Sequence, residues 1–426
     1  MRKSGLTGDE AYALSKRRGT SGDLGPLKKE LSLLKEDLSN KITKFYASNQ
    51  GETHITDSDN GKIQDMMLYG KSSQDGTPSP ENPVEIKSVV NPVIKICGKN
   101  LFDSKKFPII LNRAIDTNTG NLYESLSGNY CATEKYIPFP YSGKKVSFNA
   151  SMSLCAYDKD YKFISTVNKN NGQVPTGTMY VRFDIRIEDK DKAQIELSEN
   201  TTTYEPYKEQ TIQLPITLNA IQVSSGGNVT INGQQYIADY VDVERGKVVR
   251  MCERKTFNTK NGKINEEYRL ALDTGVLAKD DGSKECIFSA FKYVELETCA
   301  VGTMIYIKNI KKPNNELYTA QELKELSLDF DVVYQLLEQQ ETDLTTEQTQ
   351  ALKELVTYYP VTNISVNSEQ LDGYTVFNYP ISMANGWNYV KQQLNDNRDY
   401  IYDMDTQSAE AYVNSEYAVA LTELEV

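Results

Sequence analysis

Two hydrophobic periods divide this chain. Leu24, Leu27, Leu31, Leu34 and Leu38 recur at spacings of 3, 4, 3 and 4, and Ile42 and Phe45 extend the stripe. Lys28, Lys29, Glu30, Lys35, Glu36 and Asp37 fill the positions between them, which is the pattern of a heptad seam flanked by charges. A helix over 24–45 would form a rod of about 33 Å at 1.5 Å per residue. Beyond residue 51 the period falls to two. Val146, Phe148, Ala150, Met152 and Leu154 alternate with Ser147, Asn149, Ser151 and Ser153. Val181, Phe183, Ile185 and Ile187 alternate with Arg182, Asp184 and Arg186. That alternation predicts antiparallel sheet with one face on a core and one in water.

Turn signals place these elements along the chain. The Gly-rich stretch 1–23 reads as a flexible arm, and 24–50 as a coiled-coil helix for self-association. Residues 51–94, with Pro78, Pro80 and Pro83, read as an extended linker and hairpin. Turns such as DTNTGN and YDKDY outline a β-sandwich over 95–210. A second β domain covers 211–343, with a hairpin turn at Glu244-Arg245-Gly246 and a helix at QELKELS. A mixed region follows over 344–426. There LTTEQTQALKELVTYYP opens with a capping pattern at Thr345 or Thr346 and Gln348 and ends at Pro360. The last 40 residues read as largely helical. The predicted class is therefore mainly β: an N-terminal coiled coil, two antiparallel sandwich-like domains and a mixed α/β C-terminal region.

Composition narrows the chemistry. The chain has 426 residues with 47 Lys+Arg against 59 Asp+Glu, a formal charge of −12, and one histidine. A zinc site rich in imidazole or a histidine-based triad would have to run through His54 alone, and His54 reads as a solvated side chain in a polar linker. Acid pairs such as Asp158/Asp160 and Glu295/Glu297 fall where a turn or strand would solvate them. No cofactor, no metal and no catalysis are expected. An acidic chain without basic clusters is a poor partner for nucleic acid. No apolar run reaches the ~18 residues of a membrane span, and the start MRKSGLTGDE has no signal-peptide h-region. Six scattered cysteines read as buried thiols of a reducing compartment. The motifs DSDNG at 57–61 and DTNTG at 116–120 begin like calcium loops. They place Leu68 and Ser127 where the bidentate glutamate should stand, so both read as Asx turns.

Several phrases also occur in a fixed order: QDGTPSPENPVEIKSVV, GKNLFD, YDKDYKFIS, and MYVRFDIRI followed by AQIELSENTTTYEPYKEQTIQLPI over 74–208. Later comes DVVYQLLEQQETDLTTEQTQALKELVTYYPVTNISV. Together they resemble a module of tail proteins from phages of Gram-positive gut bacteria, over most of 74–366. The resemblance implies a virion structural protein of a tail tip, baseplate or fibre, assembled in the host cytoplasm. It also implies a carbohydrate-binding-module-like sandwich near 95–210.

Sugar-binding sandwiches use aromatic faces for stacking and amides or carboxylates for hydroxyls. Loop-placed Tyr123, Tyr130, Tyr157 and Tyr161, with Tyr204 and Tyr207, could serve, against the alternative that each tyrosine sits half-buried in sheet with its hydroxyl in water. The expected product is a homo-oligomer, with a trimer as the leading form, joined to other tail or baseplate proteins. It would help host attachment by non-catalytic binding of surface polysaccharide. A purely architectural baseplate protein and a glycan depolymerase are the alternatives.

Overall fold

The computed structural model describes residues 44–46, 52–167, 172–278, 286–293 and 298–381, and within these the protein is mainly β. The seam residues Leu24, Leu27, Leu31, Leu34, Leu38 and Ile42 and the stretch 382–426 lie outside the described residues. Phe45 does not continue the helical stripe, because the chain is already a strand over Lys44–Tyr46.

Residues 45–382 form a compact unit made of a platform and an inserted sandwich. The platform is built on one long antiparallel pair, Lys247–Asn258 against Asp329–Asp343. On one side of it follow Tyr240–Asp242, Gln64–Tyr69 and Tyr374–Asn378. A four-stranded sheet, in the order Glu209–Gln213, Val93–Cys97, Thr362–Asn367 and Glu52–Ile55, faces that half. Between them lies a core of Ile55, Met66, Leu68, Ile94, Ile96, Val241, Ile364 and Phe377. Each such buried side chain stabilises the fold by about 1.5–3 kcal/mol. The other half of the long pair carries Arg269–Ala278 and Thr298–Lys308 and buries Leu270, Phe288, Ile305, Leu323 and Tyr334. A short helix, Ala320–Glu325, caps this second core. It starts in a capping box in which Thr319 and Glu322 each satisfy the other's backbone N–H.

Residues 51–94, read as linker, thus supply strands to both platform sheets, with Ile86 and Val89 fully buried. Strands of 52–97, 209–258 and 329–378 share one core, so the sequence divisions at 211 and 344 cut through a single folded body. The expected helix after residue 344 forms at Thr346–Lys353, with a capping box between Thr345 and Gln348.

The sandwich interrupts a pair of neighbouring strands. Val93–Cys97 leads into it and Glu209–Gln213 leads out, and the two pair antiparallel with Cys97 opposite Glu209. Residues 98–208 therefore hang from the platform on two adjacent connections. The phrases GKNLFD and YEPYK close that neck. Lys99 is 6% exposed; its ammonium donates to Thr202 Oγ1 (2.8 Å) and Thr203 O (2.5 Å) and pairs with Glu205 at 3.2 Å. Asn100 donates to Glu205 O (3.0 Å) and Ala193 O (3.2 Å) while its Oδ1 accepts from Phe102 N (3.0 Å).

One sheet of the sandwich runs Phe163–Val167, Ser153–Tyr157, Tyr180–Arg186, Tyr130–Thr133, Ile109–Leu111, with Ile137–Pro138 also on the Tyr180 strand. The other is Gly172–Gln173, Lys145–Phe148, Ile195–Glu196. The alternating run 144–154 is not one strand. It breaks at a turn in which Met152 N donates to Asn149 O (3.0 Å), and its halves lie in opposite sheets. The period survives the crossing because Val146 and Phe148 from one sheet meet Met152 and Leu154 from the other in the same core. Ala150, at the turn, is exposed.

Candidate functional site

The outer face of the sandwich is set by the strand Tyr180–Arg186. Val181, Phe183 and Ile185 enter the core, which turns Tyr180, Arg182, Asp184 and Arg186 outward. Alternation predicts that these stand in water, yet Arg182 is only 8% exposed and Asp184 4%. The cover is a hairpin of Arg113–Ile115 and Leu122–Glu124 folded over the sheet. Ile115 N donates to Asp184 Oδ2 at 2.8 Å. At the hairpin tip Gly120 O accepts from Arg182 Nη2 (2.8 Å) and from Tyr157 OH (2.6 Å). The tip needs glycine: φ is +69°, and a Cβ would stand 2.4 Å from the Phe163 ring. DTNTG is an Asx turn, with Asn118 N on Asp116 Oδ1 at 2.8 Å and Gly120 N on Asp116 O at 2.7 Å.

Two features flank the covered centre. At one end Tyr161 stacks on Tyr180 with centroids 4.6 Å apart and lies 4.7 Å from Tyr136. Tyr161 is 50% exposed and takes a left-handed φ of +61°, a conformation costing of order 1–3 kcal/mol for a non-glycine residue. The turn that holds it is fixed by Asp158, whose Oδ1 accepts from Asp160 N (2.8 Å) and Lys162 N (2.9 Å). The Arg182 guanidinium lies 4.3 Å from the Tyr136 centroid and 5.0 Å from that of Tyr157, so the cation backs the aromatic cluster. Burial pushes the Tyr157 hydroxyl up to about 12, keeping it a neutral donor. At the other end is a groove of about 680 Å³ lined by Tyr123, Tyr130, Asp116, Asn121, Ser153 and Asp184. Tyr123 is 51% exposed.

Tyr123 and Tyr130 thus share the groove, and Tyr161 belongs to the tyrosine platform at the opposite end. Tyr157, 2% exposed, offers no free face: it lies beneath Tyr136 at 4.8 Å and positions the hairpin. Tyr204 and Tyr207 lie on another side, around a hollow by the neck. The sequence reading missed Tyr136, Tyr180 and Arg182. Tyr180 and Arg182 were legible as the outward side of an alternating strand, but Tyr136 carried no periodic signal. His54 is not loose either; it stands in the strand Glu52–Ile55, with Nδ1 2.7 Å from Asn363 Oδ1.

Chemically, the face offers apolar ring surfaces beside carboxylate, amide and hydroxyl groups, the lining that recognises a polyhydroxylated ring. No group of three His, Cys, Asp or Glu side chains able to hold a metal occurs among the described residues. No family model matches the chain, and no curated protein does. Among solved structures, a densovirus capsid (Bombyx mori densovirus 1) aligns at 9% identity and a TM-score of 0.08, covering 79% of this chain and 91% of that one. T=1 particles derived from infectious bursal virus align at 8% identity and a TM-score of 0.08, over 84% of this chain and 86% of that one. Scores that low carry no argument about fold or role.

Proposed function

We propose that this chain is a structural protein of a phage tail tip, baseplate or fibre, and that its inserted sandwich holds host-surface glycan without cutting it. The observation that carries the binding part is the Tyr136/Tyr161/Tyr180 platform: three rings gathered on an outer face, one held by a strained backbone, with a buried cation behind them. The tail assignment rests on the ordered phrases over 74–366. Hanging 98–208 from two adjacent strands presents that face on a body separate from the platform core. Self-association through the seam of Leu24 to Ile42, as a trimer, would repeat the face and turn weak sugar contacts into useful avidity. Anchorage to other tail proteins would fall to the remaining surfaces.

The test is binding of the full chain to intact host cells and to their purified polysaccharide, with a Tyr136→Ala/Tyr161→Ala variant beside it. Retention by cells, loss in the variant and unchanged glycan length support the reading. Shortened glycan would favour a depolymerase. Equal retention of both proteins, or a sandwich buried among neighbours in cryo-electron microscopy of the virion, would leave only the architectural role.

A further inference from the structure

The four-stranded platform sheet sends Ile55, Ile94, Ile96, Ile364 and Val366 into its core. The opposite face, with His54, Lys95, Asn363 and Ser365, looks across a cleft of about 400 Å³ to Phe139, Tyr141 and Lys144 of the sandwich. Its lining inverts the charge of the protein. In a chain of net charge −12, the lining holds, among the described residues, Lys95, Lys144 and Lys145 and no carboxylate. Glu209, outside the lining, answers Lys95 at 2.9 Å, and Glu199 answers Lys145 at 2.8 Å. Lys144 has no ion pair among the described residues. The sandwich wall is apolar: Phe139 is 2% exposed and meets Tyr141 edge-on at 4.9 Å, with Pro138, Pro140 and Leu197 beside them.

His54 is oriented unambiguously. Asn363 Nδ2 donates to Gly98 O at 2.8 Å, so its Oδ1 is the acceptor and His54 Nδ1 must carry the proton shared at 2.7 Å. Nε2 of this cleft-lining imidazole has no hydrogen-bond partner among the described residues.

We propose that this cleft is a second binding site, distinct from the tyrosine face, for a sugar bearing an acid group. The ring lies on the Pro138/Pro140/Tyr141 wall, its hydroxyls meet His54 Nε2 and Ser365, and its carboxylate or phosphate meets Lys144. The site shares no residue with the tyrosine platform or the groove, so it stands whether or not those bind neutral glycan. An occupant would touch platform and sandwich together and fix the angle between them.

Ligand-observed NMR on the full chain tests it, using glucuronate, glucose 6-phosphate and glucose as probes. The acidic sugars should bind and glucose should not, and the stronger of the two acids names the ligand class. Lys144→Gln, an exposed substitution that leaves thermal stability unchanged, should weaken acid binding about fivefold. His54→Gln should weaken both acids again, and Tyr161→Ala should change neither. Equal binding of glucose and glucuronate, no binding of either acid, or wild-type affinity in Lys144→Gln would overturn the proposal.

Discussion

The groove on the sandwich and the cleft at its neck are both hollows lined with aromatic rings, but their charges are opposite. Among the described residues, the groove carries Asp116 and Asp184 and no cation, and the cleft carries three lysines and no carboxylate. Their construction also differs. The groove is made wholly by residues 114–184, whereas the cleft needs the platform strands Glu52–Ile55, Val93–Cys97 and Thr362–Asn367 on one side and the sandwich on the other. The net charge of the chain therefore matches the sign of the groove but not that of the cleft. What decides each is which face of an alternating strand the fold leaves uncovered.

The difference in construction gives the largest predicted effect. Asp239 is fully buried in the platform, and its Oδ1 accepts from Met251 N (2.8 Å) and Cys252 N (2.9 Å). Its Oδ2 accepts from Asn219 N (2.9 Å) and Arg250 Nη1 (3.2 Å). The carboxylate thereby pins the bulge between Arg250 and Cys252 on the central strand. Asp239→Ala strands these donors and should cost the platform about 3–5 kcal/mol. Calorimetry should show a platform transition shifted down and a sandwich transition left in place. Between the two, the cleft should be lost and the groove kept. A single shared transition would show that sandwich and platform do not fold as separable parts.

Arg182→Met reverses the comparison. It removes one of the two donors to Gly120 O, leaving Tyr157 OH, and the cation beside Tyr136, a loss of about 1.5–3 kcal/mol for a hydrogen bond to a charged group. Hydrogen exchange should rise over 113–124, and the groove should open while the cleft stays intact. Protection of the hairpin at its wild-type level would mean that Ile115 and Leu122 hold it without Arg182.

How much of these sites could be read from sequence follows from the same geometry. Alternation identified the inward residues Val146, Phe148, Val181 and Phe183 because burial acts on every second position whatever the neighbouring element. It misjudged Arg182 and Asp184, since their cover is a hairpin about 60 residues earlier in the chain, and period two carries no information about a third layer. The same limit applies to 51–94. Its prolines and turn residues look like linker, but Ile86 and Val89 are buried by strands more than 100 residues away. Tyr123, Tyr130 and Tyr161 were recognisable as loop tyrosines, yet only pairing registers could show that two share a groove and the third stacks elsewhere. The cleft was invisible because its lining comes from residues 53–54, 95–97, 101, 138–145, 197, 207 and 363–367, stretches far apart in the chain that only the fold brings together.

A smaller effect separates the two ends of the sandwich face. Tyr161→Ala should weaken binding of neutral host glycan about tenfold, near 1.4 kcal/mol, and leave acidic sugars at the cleft unaffected. Parallel titrations of one variant with both ligands check this. A matching loss for both would mean that the sites are coupled through the sandwich.

The smallest effect concerns the neck itself. Glu209 opens the strand that returns from the sandwich, opposite Cys97. Partial burial would raise its carboxyl, but hydrogen bonds from Tyr207 and Thr211 and the Lys95 ammonium outweigh this and hold it at about 2. Because the folded value lies below the unfolded one of about 4.3, the charged form favours the folded state. That contribution is present above pH ~4.3 and is lost as pH falls towards 2. Water screens the pair, so the loss should be smaller than for any variant above. Glu209→Gln should flatten the acid limb of the stability curve between pH 4.3 and 2 and change little at pH 7. It should also leave Lys95 unanswered in the cleft and so tighten acidic-sugar binding at neutral pH. The groove, which has no lysine to release, should not respond; if it does, the charge contrast between the two hollows is not what governs their ligands.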